Sequence, residues 1–193
     1  LSRTELAGRL AKHALGAAQG RPVLRDLRQV IASDNAHART IMWQADVKWT
    51  DAVVEYRRKG AKAIESSPAA RESFTDDGVT VELYTARLCG LEAGQSYEYC
   101  IRADGQCDDW HALQTDDGGA FSALIFPDSQ SNDYTDWKHL AQGAAERNEG
   151  ADFFINMGDL VDNGEDHRQW EAWFDAVAGI IDRIPVAPLD GQS

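Results

Sequence analysis

The sequence predicts two folded units in one chain, an all-β sandwich followed by a partial α/β unit with the order βαβαβ. The first observation is a hydrophobic period of two from about residue 22 to 115, interrupted at short intervals by Gly and Asp-Gly turns. The second is a change, after residues 116–119, to continuous apolar runs that alternate with helix-period segments. The expected boundaries are residues 1–21 for a helical segment, 22–116 for the sandwich and 119–193 for the α/β unit.

Composition narrows the possible partners. The 193 residues include 19 Lys and Arg and 32 Asp and Glu, which gives a net charge of −13. Such a surface repels a phosphate backbone, so no nucleic acid is expected as a partner. Apolar runs such as Leu124–Phe126 are far too short to cross a bilayer, so no membrane span is expected.

The N-terminal segment has a helical pattern. Apolar residues recur at helical spacing at positions 6, 10, 14 and 17, and Gly20 and Pro22 follow them. This spacing predicts a short amphipathic helix between about residues 3 and 18.

The sandwich strands are predicted from alternating pairs and triplets of apolar residues. These are Ile41/Trp43, Val54/Tyr56, Tyr84/Ala86/Leu88 and Tyr97/Tyr99/Ile101. Leu91, a turn containing Gly94, and Tyr97 at a strand start form a tyrosine-corner pattern, in which the hydroxyl bonds back to the turn backbone. This corner resembles that of fibronectin type III domains, with Ala93 where proline is usual.

Three cysteines leave two interpretations open. Cys100 and Cys107 flank a turn signal at residues 103–106, so a hairpin could bring them together, whereas Cys89 lies apart. Because a disulfide needs a narrow range of Cα separations, three reduced thiols packed as small apolar groups are favoured over a Cys100–Cys107 bridge.

In the α/β unit, three apolar runs are separated by two amphipathic helices. The runs cover residues 120–126, 153–157 and 184–189. Thr135 is expected to cap the first helix, and Asp166 with Gln169 three residues later is expected to form a capping box at the second. The expected packed faces are Trp137, Leu140, Ala141, Ala144 and Ala145 on the first helix, and Trp170, Trp173, Phe174, Val177 and Ile181 on the second.

Two aspartates close the first two strands of this unit. Asp128 follows the first run and Asp159, preceded by Gly158, follows the second. Ligands of open α/β sheets bind at the carboxyl ends of the strands, so the two carboxylates can converge on one point. Hard oxygen donors suit Mn²⁺ or Mg²⁺, or Fe or Zn with added His. Turn or capping roles are the alternative for both residues.

The residues after these strands resemble a known family. Asp128-Ser129-Gln130 and the stretch Gly158–Gly164 are similar to the first two blocks of the calcineurin-like metallophosphoesterases, D-x-[H/Q/N] and G-D-x-x-D-x-G. A fibronectin-like sandwich directly before these blocks resembles the arrangement in purple acid phosphatases and related bacterial phosphoesterases. The resemblance covers roughly residues 22–193.

This resemblance implies a phosphoester substrate and a site with two metal ions, Mn, Fe, Zn or Mg. Asp128 would bind the first ion, Asp159 would bridge both, and Gln130 would be a weaker ligand or would orient a water. Asp162 and Asn163 would shape the loop or support the ligands. Purple acid phosphatases have a metal-binding tyrosine that closely follows the second block. This chain has Asp162 there, so no charge-transfer colour is expected.

The third block of the family, G-N-H-[D/E], is altered. Gln192 stands where the metal-binding asparagine belongs and Ser193 where the histidine belongs, and the later His-containing blocks do not follow. The resemblance therefore implies that the C-terminal half of the catalytic domain is missing and that the chain alone is inactive or nearly so. Helix faces rich in tryptophan, expected to be exposed, favour a fragment over a degenerate protein.

Two functions follow from the sequence. The first is metal-dependent phosphoester hydrolysis by the parent protein, through a dinuclear site. The alternative is a fibronectin-like binding or adhesion module attached to a degenerate phosphoesterase remnant. The resemblance implies a secreted or cell-surface bacterial protein.

Overall fold

The computed structural model describes residues 21–76, 78–131 and 133–189. The helix expected between residues 3 and 18, and the positions Gln192 and Ser193, lie outside the described residues. The described strands are β1 Arg25–Val30, β2 Ala38–Ala45, β3 Val53–Arg58, β4 Glu65–Pro68, β5 Ala70–Asp76, β6 Val79–Cys89, β7 Ser96–Ala103, β8 Gln106–Cys107, β9 His111–Gln114, β10 Ala123–Pro127, β11 Phe153–Met157 and β12 Val186–Leu189. The described helices are α1 Tyr134–Arg147 and α2 His167–Val177.

The first nine strands form the predicted β-sandwich. Strands β1, β2, β6 and β5 pair in that order, and β4, β3 and β7 pair in a second sheet in which β7 also contacts β8 and β9. Every one of these pairs is antiparallel. The predicted alternating residues of both sheets form one buried cluster, in which Trp43 stacks on Tyr84 with ring centroids 5.3 Å apart. The antiparallel sandwich is confirmed.

The tyrosine corner is also confirmed. The backbone N–H of Glu92 donates to the Tyr97 hydroxyl at 3.0 Å, and the Tyr97 side chain is buried. Gly94 has φ +67°, and a Cβ at this position would lie 3.1 Å from Cβ of Asp117. Only glycine fits this turn without strain.

The α/β unit has parallel strands in the order β10, β11, β12, with α1 and α2 between them in the chain. Both helices pack on the sheet face that carries Phe126 and Phe154. Trp137 and Trp173 are 5% and 2% exposed, so the expectation of exposed tryptophan faces is wrong. The two helices cover each other, and the indole rings stack with centroids 6.4 Å apart.

Some details of the helices differ from expectation. Asp133, not Thr135, is the N-cap of α1, because its carboxylate accepts the Thr135 backbone N–H at 2.9 Å. Leu140, expected on the packed face of α1, is 55% exposed. The buried stripe of α1 instead consists of Trp137, Ala141 and Ala145, spaced four residues apart. Neither described helix is long and apolar enough to cross a membrane.

Strand β1 joins the two units into one seven-stranded sheet, in the order β10-β11-β12-β1-β2-β6-β5. It pairs with β2 on one edge and, in parallel, with β12 on the other. The Ile31 N–H donates to the Val186 carbonyl at 3.2 Å. The buried Gln29 side chain donates to the carbonyls of Ala112 and Asp182 at 2.7 and 2.8 Å. Residues of the sandwich therefore contact the α/β unit directly.

The cysteines correct the favoured prediction of three reduced thiols. Cys100 and Cys107 form a disulfide between β7 and β8, and Cys89 is a free, exposed thiol. The antiparallel pairing of the hairpin brings the two Cα atoms to 5.9 Å, within the range that a disulfide requires.

Candidate metal centre

The two predicted metal-binding segments leave the same edge of the parallel sheet. Strands β10 and β11 are neighbours with Pro127 opposite Met157, so Asp128 and the Gly158-Asp159 pair follow at adjacent positions. The Gln130 backbone N–H donates to the Asp159 carbonyl at 2.9 Å, which joins the two loops. The fold thus brings together the segments that contain Asp128, Gln130 and Asp159.

The backbone at both aspartates is unusual. Asp128 has φ 42° and Asp159 has φ 37°, and they are two of only four non-glycine residues with positive φ in the described part of the chain. Side-chain-bearing residues rarely adopt this left-handed region, and such residues concentrate at functional sites. The outliers motivate a functional role for this edge of the sheet.

Two buried oxygens at this edge lack a hydrogen-bond partner. They are Oδ1 of Asp159 and Oε1 of Gln130. Of the described side chains, only one other buried acceptor oxygen, Oδ1 of Asp182, is also unpartnered. Burying an unsatisfied acceptor costs about 1–3 kcal/mol. A carboxylate and an amide oxygen are hard donors, and each is of the kind that a divalent cation takes as a ligand.

Three buried polar side chains lie beneath the two loops. The Ser129 hydroxyl donates to Oδ1 of Asn156 and accepts the indole N–H of Trp173, each at 2.9 Å. Nδ2 of Asn156 donates to the Gly158 carbonyl at 3.2 Å. The sequence pattern indicates no functional role for Ser129, Asn156 or Trp173, since it presents them only as loop, strand and helix-core residues.

The loop between Gly158 and Gly164 is held by a residue of α2. Oε1 of Gln169 accepts the backbone N–H groups of Asp162 and Asn163 at 2.8 and 3.0 Å. The expected capping box is therefore not formed by this side chain. Asp166 caps α2 by accepting the Arg168 N–H at 3.0 Å, and hydrogen bonding to Arg168 lowers the pKa of Asp166.

Asp162 and Asn163 themselves have exposed side chains. Oδ1 of Asn163 accepts the Glu165 N–H at 3.0 Å, as a loop-shaping residue would. The other predicted position, Gln192, lies outside the described residues. The described residues contain one group of three side chains with metal-ligand spacing, Glu55, Cys100 and Cys107, but the disulfide occupies both thiols.

Comparison with known proteins supports the family resemblance. The family described as "Purple acid Phosphatase, N-terminal domain" matches residues 26–115. A search of curated protein sequences gives no match. Among solved structures, purple acid phosphatase PPD1 from yellow lupin (Lupinus luteus) seeds has a TM-score of 0.74 at 16% identity, covering 88% of this chain and 35% of that one. At this identity the match shows a shared fold.

A second solved structure, PhoD, has a TM-score of 0.48 at 14% identity and covers 84% of this chain and 37% of that one. The chain thus spans little more than a third of the length of either protein.

Proposed function

We propose that this chain, whose residues 26–115 match the purple acid phosphatase N-terminal domain family, is part of a metal-dependent phosphoesterase. In this proposal residues 22–116 are the sandwich, and residues 119–193 begin a calcineurin-like catalytic domain. The observation that carries the proposal is the pair of buried, unpartnered oxygens of Gln130 and Asp159 at the ends of adjacent parallel strands.

The residues of this chain would hold two cations. Asp128 would bind the first, Asp159 would be shared by both, and Gln130 would contribute an amide oxygen. When bound, the ions supply Lewis-acid activation of water and neutralise charge on the phosphate oxygens. The left-handed backbone at both aspartates and the hydrogen bond from Gln130 to the Asp159 carbonyl support these roles, because they fix where the ligands leave the sheet.

The proposal assigns activity to the parent protein and not to this chain alone. Divalent ions take roughly four to eight ligands each, whereas Asp128, Gln130 and Asp159 supply three side chains. The remaining ligands would come from the rest of a catalytic domain. This agrees with the match to the lupin protein, because this chain covers only 35% of that protein's length. The Cys100–Cys107 disulfide supports a secreted or cell-surface location, since disulfides persist in oxidising compartments.

Hydrolysis of an aryl phosphate by the parent protein tests this function. We expect turnover with Mn²⁺, loss with EDTA, and a decrease of more than about 100-fold in Asp159→Asn. Asp104→Asn is the matched control, because Asp104 also has a positive φ, 50°, but lies in the β7–β8 turn of the sandwich. Turnover that needs no metal, or an Asp159→Asn variant as active as Asp104→Asn, would contradict the proposal.

A further inference from the structure

We infer that the buried triad of Ser129, Asn156 and Trp173 positions both ligand-bearing loops for metal binding. The inference rests on the proposed function, because the triad acts in the chemistry only if these loops bind metal. Each member belongs to a different segment: Ser129 to the loop after β10, Asn156 to β11 and Trp173 to α2.

The triad is closed to water and its hydrogen bonds run in one direction. Ser129, Asn156 and Trp173 are 5%, 0% and 2% exposed. The indole N–H of Trp173 donates to Ser129, whose hydroxyl proton points to Asn156, with the Leu160 carbonyl as a second acceptor at 3.2 Å. Nδ2 of Asn156 in turn donates a hydrogen bond to the Gly158 carbonyl.

This arrangement ties the helix to both candidate ligand loops. Ser129 stands between Asp128 and Gln130 in the chain, and Gly158 immediately precedes Asp159. A shift of the Ser129 hydroxyl therefore moves the first loop, and a shift of Asn156 moves the second. Ligand atoms must be held within roughly 0.2–0.5 Å of their productive positions, so small shifts weaken metal binding.

A second tryptophan provides a matched comparison. Trp137 belongs to the same buried cluster, is 5% exposed and stacks on Trp173, but its indole nitrogen has no hydrogen-bond partner. Trp137→Phe and Trp173→Phe both reduce core volume, whereas only Trp173→Phe removes a hydrogen bond to the loops. A role limited to packing predicts similar effects for the two substitutions.

The experiment uses the full 193-residue chain and Mn²⁺ alone as the probe. Paramagnetic broadening of amide signals gives the Mn²⁺ dissociation constant. Hydrogen exchange at the backbone amide of Gln130 reports the hydrogen bond to the Asp159 carbonyl that joins the loops. We expect Trp173→Phe and Ser129→Val to weaken Mn²⁺ binding by about 10–100-fold and to speed this exchange. Trp137→Phe and Ser129→Thr keep the hydrogen-bond chain. Their Mn²⁺ dissociation constants and Gln130 exchange rates should stay within about threefold of those of the unsubstituted chain.

The outcomes separate this inference from the proposed function. If Trp173→Phe affects Mn²⁺ binding and Gln130 exchange no more than Trp137→Phe, the triad only packs and the inference is overturned. If Mn²⁺ broadens no amide of the unsubstituted chain at these loops, the proposed site fails. Hydrogen exchange at the Gln130 backbone amide then decides only whether the triad holds the two loops together: a faster rate in Trp173→Phe than in Trp137→Phe supports this part of the inference, and equal rates overturn it.

Discussion

A histidine between two carboxylates links the sandwich to the α/β unit. Nε2 of His111 lies 2.9 Å from Oδ2 of Asp108, and Nδ1 lies 3.0 Å from Oδ2 of Asp182. The three side chains are only 17%, 12% and 15% exposed. His111 and Asp108 belong to the sandwich, whereas Asp182 lies between α2 and β12. Protonated His111 therefore holds the two units together.

The contribution of His111 protonation to the unfolding free energy can be calculated from the pKa of this histidine. Burial lowers it, but the hydrogen bonds to Asp108 and Asp182 outweigh burial and raise the pKa from 6.5 to about 9. At about 1.4 kcal/mol per pKa unit, a shift from 6.5 to about 9 means that protonation contributes at most about 3.5 kcal/mol to stability. Burial raises the pKa of Asp108, since it disfavours the carboxylate, and this cost offsets part of the gain. We expect a net contribution of about 1–3 kcal/mol.

The sign of the pH dependence is fixed by the direction of the shift. Because the folded-state pKa lies above the unfolded value, the contribution is complete below pH 6.5 and is lost as the pH rises through about 9. Urea unfolding of the unsubstituted chain and His111→Gln measures it. The difference in unfolding free energy should shrink by about 1–3 kcal/mol between pH 6 and pH 9.5.

Tyr99→Phe provides the control at the same junction. The Tyr99 hydroxyl donates to the Asp182 carbonyl at 2.7 Å, and burial raises its pKa well above 10, so it stays neutral throughout. Its loss should cost about 1–2 kcal/mol at every pH. If the loss of unfolding free energy in His111→Gln is as constant with pH as that in Tyr99→Phe, the prediction is wrong, since the folded-state imidazole then does not carry the titrating proton.

Three further predictions concern stability. Tyr97→Phe should lower the unfolding free energy by about 1 kcal/mol, because the hydroxyl accepts the Glu92 N–H; a urea midpoint equal to that of the unsubstituted chain would contradict the corner's role. Reduction of Cys100–Cys107, whose sequence separation is 7, should cost about 2–3 kcal/mol through loop-closure entropy, and an unchanged melting temperature in reductant would exclude this. Asp159→Asn without metal should change stability by less than about 1 kcal/mol, because asparagine tolerates the left-handed backbone; a larger loss in denaturant titration would show that the carboxylate has a structural role instead.

Much of the sandwich could be predicted because its signals are local. Alternating residues such as Trp43 and Tyr97 report which face of a strand is buried, and the corner follows from a glycine turn of fixed length. The parallel orientation of the three α/β strands was also predictable, since helices between short apolar runs imply crossovers. The same pattern located Asp128 and Asp159 at the strand ends.

The remaining features depend on tertiary partners that no local pattern reports. Strand β1 was not recognised as the bridge to β12, because alternation does not identify which strand lies at each edge. Gln169 fitted a local capping box but instead contacts the preceding loop. The bonds of Trp173 to Ser129 and of His111 to Asp182 join residues 44 and 71 positions apart, so only the folded chain reveals them.

The proposed metal centre is tested most directly by anomalous X-ray scattering from crystals of the chain soaked in MnCl₂. We expect a manganese peak within about 2.5 Å of Oδ1 of Asp159 and Oε1 of Gln130, and no such peak in Asp159→Asn crystals. Manganese found only at other acidic surfaces, with these two oxygens still without a ligand, would contradict it.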